Sequence, residues 1–311
     1  MRYSILSVFF LVSLSVFAQE KLVAFTFDDL PFVSYRHNSQ KHGFTLKLLN
    51  TLKTNNLPAI GFVNEYKLYT DDTLNPAEVE LLELWLEYGN ELGNHTFSHP
   101  SYHKITFDLF SQDILKGENI SKQLSKKHNI PYRYFRHPYL HSGENKEKND
   151  SLQNFLKQNN YLEAPVTIDN SDYLFAFAYD SAMAIEDKEL MRKIGEDYIE
   201  YMELKLLYFE LQSSRLFQKN INHILLLHAN ALNADYVGEL AQMFQKNDYR
   251  LAPLEEVLKD TLYNTAITVF TNRGISWLDR WALSAGKKGD FFQGDPEPPD
   301  YILRLAKVIK E

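Results

Sequence analysis

The chain has 311 residues, 44% hydrophobic, 14% aromatic and 24% charged, a globular composition that excludes a disordered, collagen-like or multi-span membrane protein. With 33 basic against 41 acidic residues the net charge is -8, so there is no basic footprint for nucleic acid or anionic lipid, and neither is expected as a partner. The lack of cysteine excludes disulfides, thiolate metal sites and cysteine nucleophiles, which leaves imidazole, carboxylate, hydroxyl and backbone for any chemistry.

Met1-Arg2-Tyr3, an apolar run to Phe17 broken only by serines, and a plausible cut after Ala18 predict a signal peptide over residues 1–18 and export to the periplasm or beyond. The alternative, an N-terminal membrane anchor, wants a longer apolar stretch, and no span is expected once the signal is removed. Apolar runs then alternate with helix-like segments. Strands are predicted at Leu22–Phe27 and Ala59–Val63, with helices at Phe44–Asn56 and Pro76–Tyr88. Asn75-Pro76 starts the second of these helices and Gly89 ends it. A short strand or turn begins at Leu92. The spacing predicts one helix over Thr106–Lys127, a strand at Tyr132–Arg136, a helix at Lys146–Gln158 and a strand at Glu163–Ile168. Between Asp187 and about Phe217, Leu190, Ile194, Tyr198, Met202 and Leu206 recur every four residues and predict a helix of unusual length. Strands at Ile224–Leu227 and Tyr249–Ala252, a helix at Leu232–Gln245 and a short one after Pro253 complete seven strands in βα alternation.

No glycine-rich phosphate loop follows the first strand, so an α/β fold of the (β/α) barrel type with seven strands is expected rather than an open nucleotide-binding sheet. The expected organisation is one catalytic domain over residues 19–260, with an insertion at 174–222. Residues 261–311 form a C-terminal extension packed on the barrel, because Trp277, Trp281, Phe291 and Phe292 would otherwise be exposed. The residues that follow the strands are Asp28 and Asp29, His95 and His99, Arg136, Asp169 with Asp172, and His228. In a parallel barrel such positions converge on one face, although polar residues also mark strand ends in any protein. His95 and His99, four apart, would face the same way on a helical turn and suit a divalent metal with a third ligand, or they are a surface coincidence. Asp28-Asp29 could divide into one ligand and one free base where the strand end turns, or could merely cap the next helix.

Thr26-Phe27-Asp28-Asp29, His95-Thr-Phe-Ser-His99, Arg136-His137-Pro138-Tyr139, Asp169-Asn-Ser-Asp172-Tyr173 and Leu225-Leu226-Leu227-His228 together resemble the five ordered motifs of NodB-like polysaccharide deacetylases, carbohydrate esterase family 4, over roughly residues 22–260. That resemblance implies a distorted (β/α)7 barrel and a secreted hydrolase that removes acetyl groups from an N-acetylhexosamine polysaccharide or oligosaccharide such as peptidoglycan or chitin. It implies Asp29, His95 and His99 as ligands of a divalent metal, most simply zinc, and Asp28 as the general base for the attacking water. His228 would be the general acid for the departing amine, and Tyr139 would offer its backbone N–H to the oxyanion. Arg136 would orient Asp28, Asp172 would brace Arg136 and tune His228, and Leu226 would line the acetyl-methyl pocket. Asp169 receives no role. Leu30 stands where the family usually has glycine and Tyr173 where tryptophan is common; Tyr139, Tyr173 and Tyr35 are expected to contact sugar. The alternatives are an O-deacetylase on xylan, a relative that opens cyclic amides, and a non-catalytic carbohydrate-binding barrel. His37, His42, His103, His128, His141 and His223 are expected on the surface.

Overall fold

In the computed structural model, which describes residues 20–35 and 40–307, the sheet grows from a ten-residue strand, β1 (Lys21–Leu30), buried along most of its length. The expected signal peptide lies outside the described residues. Continuous burial of Leu22–Phe27 is what a strand covered on both faces requires. The chain continues through α1 (Lys41–Thr54), β2 (Ala59–Val63), a hairpin of β3 (Tyr69–Thr70) and β4 (Thr73–Leu74), α2 (Pro76–Glu87) and β5 (Glu91–Asn94). Next come α3 (Phe107–Lys116), α4 (Ser121–Lys127), β6 (Tyr134–Phe135), α5 (Lys146–Gln158) and β7 (Leu162–Glu163). The second half holds α6 (Asp172–Ala184), α7 (Lys188–Phe217), β8 (His223–His228), α8 (Ala231–Lys246) and β9 (Tyr249–Leu251). It ends in α9 (Leu254–Val257), α10 (Trp277–Ser284) and α11 (Asp300–Leu305).

The main sheet has seven parallel strands in the order β7-β6-β5-β2-β1-β8, with β9 on the β2 side of β1 at its N-terminal end. This is the curled, half-barrel α/β architecture that seven βα strands predict. Closure is irregular. The segment 162–168 pairs with β6 at its start, where Leu162 N–H donates to Arg133 O, and reaches β8 at its end, where Ile168 bridges Leu225. Its middle is not a strand, so the expected strand at Glu163–Ile168 shrinks to two residues and a bridge.

Local chemistry explains most boundaries. Asn75 Oδ1 accepts from Ala77 N–H with Pro76 in the first turn of α2, and Asp187 accepts from Leu190 N–H to open the 30-residue α7, whose Ile194, Tyr198, Met202 and Leu206 are buried as their spacing requires. Two helical expectations change. The single helix over Thr106–Lys127 is two helices that break at Gly117, and α6 arises inside the expected insertion. In α6, eight side chains are buried, so it has no single apolar stripe to read. The C-terminal extension belongs to the main core: Trp277 and Trp281 are buried, Trp277 N–H donates to Val166 O at 2.7 Å, and Trp281 sits edge-on to Phe217 and Tyr263. Among the described residues no helix is long and apolar enough to cross a membrane.

Candidate active site

The carboxyl ends of β1, β5 and β8 meet at one cleft of about 550 Å3. Asp28 and Asp29 end β1 at a register shift between Phe27 and Leu30, and Asp29 takes the left-handed conformation with φ 64°. That bulge lets two consecutive acids serve different partners. Asp28 is buried, with both carboxylate oxygens 3.5 Å from Arg136 Nη1, while Arg136 Nη2 donates to Thr26 Oγ1 at 2.8 Å. Burial pushes the Asp28 carboxyl up to about 6, although Arg136 and His228 pull the other way.

Asp29 Oδ1 lies 3.5 Å from His99 Nε2 and 3.7 Å from His95 Nε2, and the three prospective ligand atoms lie within 4.8 Å of one another. His95 Nδ1 is 2.8 Å from Arg136 O; it donates there, which leaves the Nε2 lone pair toward Asp29. Burial, and then the neighbouring His99, hold His95 well below its ordinary pKa, and burial lowers His99 as well. Burial opposes the Asp29 carboxylate, but Lys67, His99 and His95 outweigh it and hold it well below the usual range. Two neutral imidazoles and a carboxylate whose buried Oδ1 has no hydrogen-bond partner are a donor set that fits a zinc-like divalent cation.

The two histidines are not on a helix. His95–His99 is a loop in which Thr96 (φ 67°) and His99 (φ 56°) are both left-handed, and the loop turns the rings to within 4.8 Å of each other. It is held from outside. Asn94 Oδ1 accepts from Thr96 N–H, and Asp113 Oδ2 accepts from Phe97 N–H and Ser98 N–H. Gly117 allows the end of α3 to approach, since a Cβ there would lie 2.4 Å from Thr96 C. Asn94, Asp113 and Gly117 were not anticipated, nor was Lys67, whose Nζ donates to Asp29 O at 2.8 Å. The interruption of an apparent helix by Gly117 was the legible signal.

His228 is the register partner of Asp28 on β8. Its Nδ1 donates to Asp172 Oδ1 at 2.7 Å and its backbone N–H to Asp172 Oδ2 at 2.9 Å. Burial alone would depress His228, but the Asp172 charge and hydrogen bond, aided by Asp29 and Asp28, raise it to about 9. Asp172, fully buried at the start of α6, also accepts from Asn233 Nδ2. It makes no bond to Arg136, so the expected bracing of Arg136 is replaced by a His228–Asp172–Asn233 arrangement that reaches Tyr198 of α7. The α6–α7 region therefore supports the site from behind. Leu226, Tyr139, Tyr173 and Tyr35 line the cleft, with the three tyrosines partly exposed at its rim. Asp169 also faces the cleft, its pKa pushed up to about 6 by burial.

One of the histidines expected on the surface is buried, and others are half-buried. His223 is fully buried with Nδ1 3.1 Å from Thr167 Oγ1, and His103 and His141 stack at 3.9 Å beside the site. They sit on strand and loop positions where helical or alternating pattern is silent. His37 lies outside the described residues, and His42 is exposed.

The description of the family model matching residues 16–161 is polysaccharide deacetylase. Residues 16–161, just under half of the chain, are thus similar to the polysaccharide deacetylase family. The matched stretch ends before Asp172 and His228, whose place in the site is given by the geometry above. A peptidoglycan-N-acetylglucosamine deacetylase from Bacillus cereus is 32% identical over 134 residues, 43% of this chain and 42% of that protein, so the alignment spans less than half of the relative. Among solved structures, a mutant of a carbohydrate esterase family 4 pseudoenzyme with restored activity aligns with TM-score 0.51 and 15% identity over 78% of this chain and 68% of its own. A peptidoglycan N-acetylglucosamine deacetylase in complex with a benzamide ligand aligns with TM-score 0.51 and 20% identity over 77% of this chain and 88% of its own. At these identities the likenesses concern the fold, which agrees with the curled parallel sheet.

Proposed function

We propose that this protein is an exported, metal-dependent N-deacetylase that hydrolyses acetamido groups of an N-acetylhexosamine polymer or oligomer of the peptidoglycan or chitin type. The observation that carries the reading is the Asp29–His95–His99 cluster between a buried carboxylate, Asp28, and an imidazole raised by a buried acid, His228. A divalent cation held by Asp29, His95 and His99, with zinc the natural choice for this donor set, would supply Lewis acidity that polarises a carbonyl and acidifies water.

The chain's own residues account for the remaining steps. Asp28, ionised and oriented by Arg136, accepts the proton of the attacking water. The tetrahedral oxyanion is met by the backbone N–H of Tyr139, a fixed donor in a partly dry cleft. His228, kept protonated by Asp172, gives its proton from Nε2 to the departing amine, and the acetyl carbon leaves as acetate. Leu226, nearly buried in the cleft wall, sets a small apolar pocket for the acetyl methyl. The aromatic rim of Tyr35, Tyr139 and Tyr173 offers faces for sugar rings. Export is supported by the basic start and apolar run of residues 1–18.

Acetate release from N-acetylglucosamine oligomers, lost on chelation and restored by zinc, is the expected result. Full activity of Asp29→Ala protein would overturn the assigned metal site. Parallel assays on acetylated xylan separate an ester substrate from an amide.

A further inference from the structure

The Pro138–Leu140 turn that carries Tyr139 is conformationally expensive. Tyr139 and Leu140 are consecutive non-glycine residues in the left-handed region, with φ 56° and 55°, so the surroundings must hold the turn. Those surroundings come from the C-terminal extension. Arg280 of α10 is fully buried and its Nη2 donates to Leu140 O at 2.6 Å, with the guanidinium 5.2 Å from the Trp277 ring. Its Nε and Nη1 have no hydrogen-bond partner, and Glu163 and Asp279 offset its charge only from a distance. A buried guanidinium with two unmet donors is a poor space-filler, so its directed bond to Leu140 O is the feature that distinguishes it.

The strap that leads into α10 touches the same turn. A Cβ at Gly274 would lie 2.0 Å from Tyr139 O and 3.5 Å from His141 Cδ2, so the strap lies directly against the Tyr139 peptide. Asn272 O, two residues earlier, is 3.2 Å from His103 Nδ1 and ties the strap down a second time. Gly274 itself lines the cleft. The turn sets the Tyr139 ring, 4.4 Å from the His99 ring, and with it the backbone N–H to which the proposed function gives the oxyanion.

We propose that the C-terminal extension is a working part of the site, in which Arg280 and Gly274 are positioning residues that hold the Tyr139 turn in its reactive geometry. The inference rests on the deacetylase reading for its kinetic consequence but not for its structural one. Arg280 acts through the Leu140 carbonyl and Gly274 by leaving room for the Tyr139 carbonyl; neither touches the reacting atoms.

The test uses the full-length mature protein with Arg280→Ala and Gly274→Ala, and Gly274, being exposed, guards against an Arg280 variant that fails to fold. Displacement of a single oxyanion donor by about 1 Å is expected to lower kcat by about 10- to 100-fold on N-acetylglucosamine oligomers, with KM held within about twofold. Millimolar guanidinium should restore part of the kcat of Arg280→Ala and none of that of Gly274→Ala. Amide hydrogen exchange should rise in peptides covering 138–141 in both variants and stay unchanged at 95–99. Unchanged kcat in both variants, or a loss carried by KM alone, would overturn the proposal. If the wild type releases no acetate, the deacetylase reading fails, and unchanged exchange at 138–141 would then overturn the positioning role independently.

Discussion

Asp172→Asn isolates the charge that raises His228. The substitution keeps the shape of the side chain and an oxygen able to accept the Nδ1 hydrogen, but it removes the carboxylate that provides the largest upward influence on the imidazole. Burial, which pushes His228 down, then prevails, so its pKa should fall from about 9 to the ordinary 6.5 or lower. The sign follows from the proposed role, in which the protonated imidazole is the active form, so activity is expected to be lost as pH rises through its pKa. At pH 8 a group with pKa about 9 is ~90% protonated, whereas one at 6.5 is ~3% protonated, a loss of about 30-fold. At pH 6 the same comparison gives less than a ~2-fold loss. The assay is kcat/KM for acetate release across pH 5 to 10, which reports ionisations of the free enzyme. An alkaline limb that stays near 9 in the variant, or an equal loss at every pH, would refute the assignment of His228 as the acid tuned by Asp172.

Gly117→Ala should force the His95–His99 loop away from α3, because the new methyl meets Thr96 C at 2.4 Å; overpacking of this kind costs about 1–3 kcal/mol, and calorimetric titration should show zinc affinity reduced in step with the melting temperature. Trp281→Ala should destabilise the whole domain by ~3–5 kcal/mol in urea unfolding, since this side chain is 2% exposed and shared between the extension and the core; a separate early transition with the main one unchanged would contradict that. His223, fully buried, is held down to about 3 chiefly by burial. Because the unfolded chain takes up that proton below about 6.5 and the folded one does not, stability should fall by up to ~1.4 kcal/mol for each pH step between about 6 and 3, and His223→Gln should flatten that part of the curve in pH-dependent unfolding.

The order of strands along the chain, the cap of α2, and the extent of α7 with its buried stripe Ile194–Leu206 were legible because each is a local pattern: an apolar run, an Asn-Pro start, or a four-residue spacing. The polar residues that the fold brings together were legible too, since Asp28, Asp29, His95, His99, Arg136, Asp172 and His228 stand at or just after strand ends, and the absence of cysteine limits candidate ligands to imidazole and carboxylate. What a one-dimensional pattern does not carry is strain and long-range contact. The bulge at Asp29, the left-handed turns at Thr96, His99 and Tyr139, and the short pairing of the 162–168 segment are non-repeating conformations stabilised by residues far away in sequence. For the same reason Asp172 could be placed in the site but not paired correctly. Its partner is decided by α6, a helix buried on so many sides that it leaves no periodic trace, which delivers Asp172 to His228 rather than to Arg136. The sequence determined which chemistry is available, because side-chain type does that alone; tertiary structure decided which acid meets which base, because a distance of 2.7 Å across 56 residues depends on how every intervening element packs.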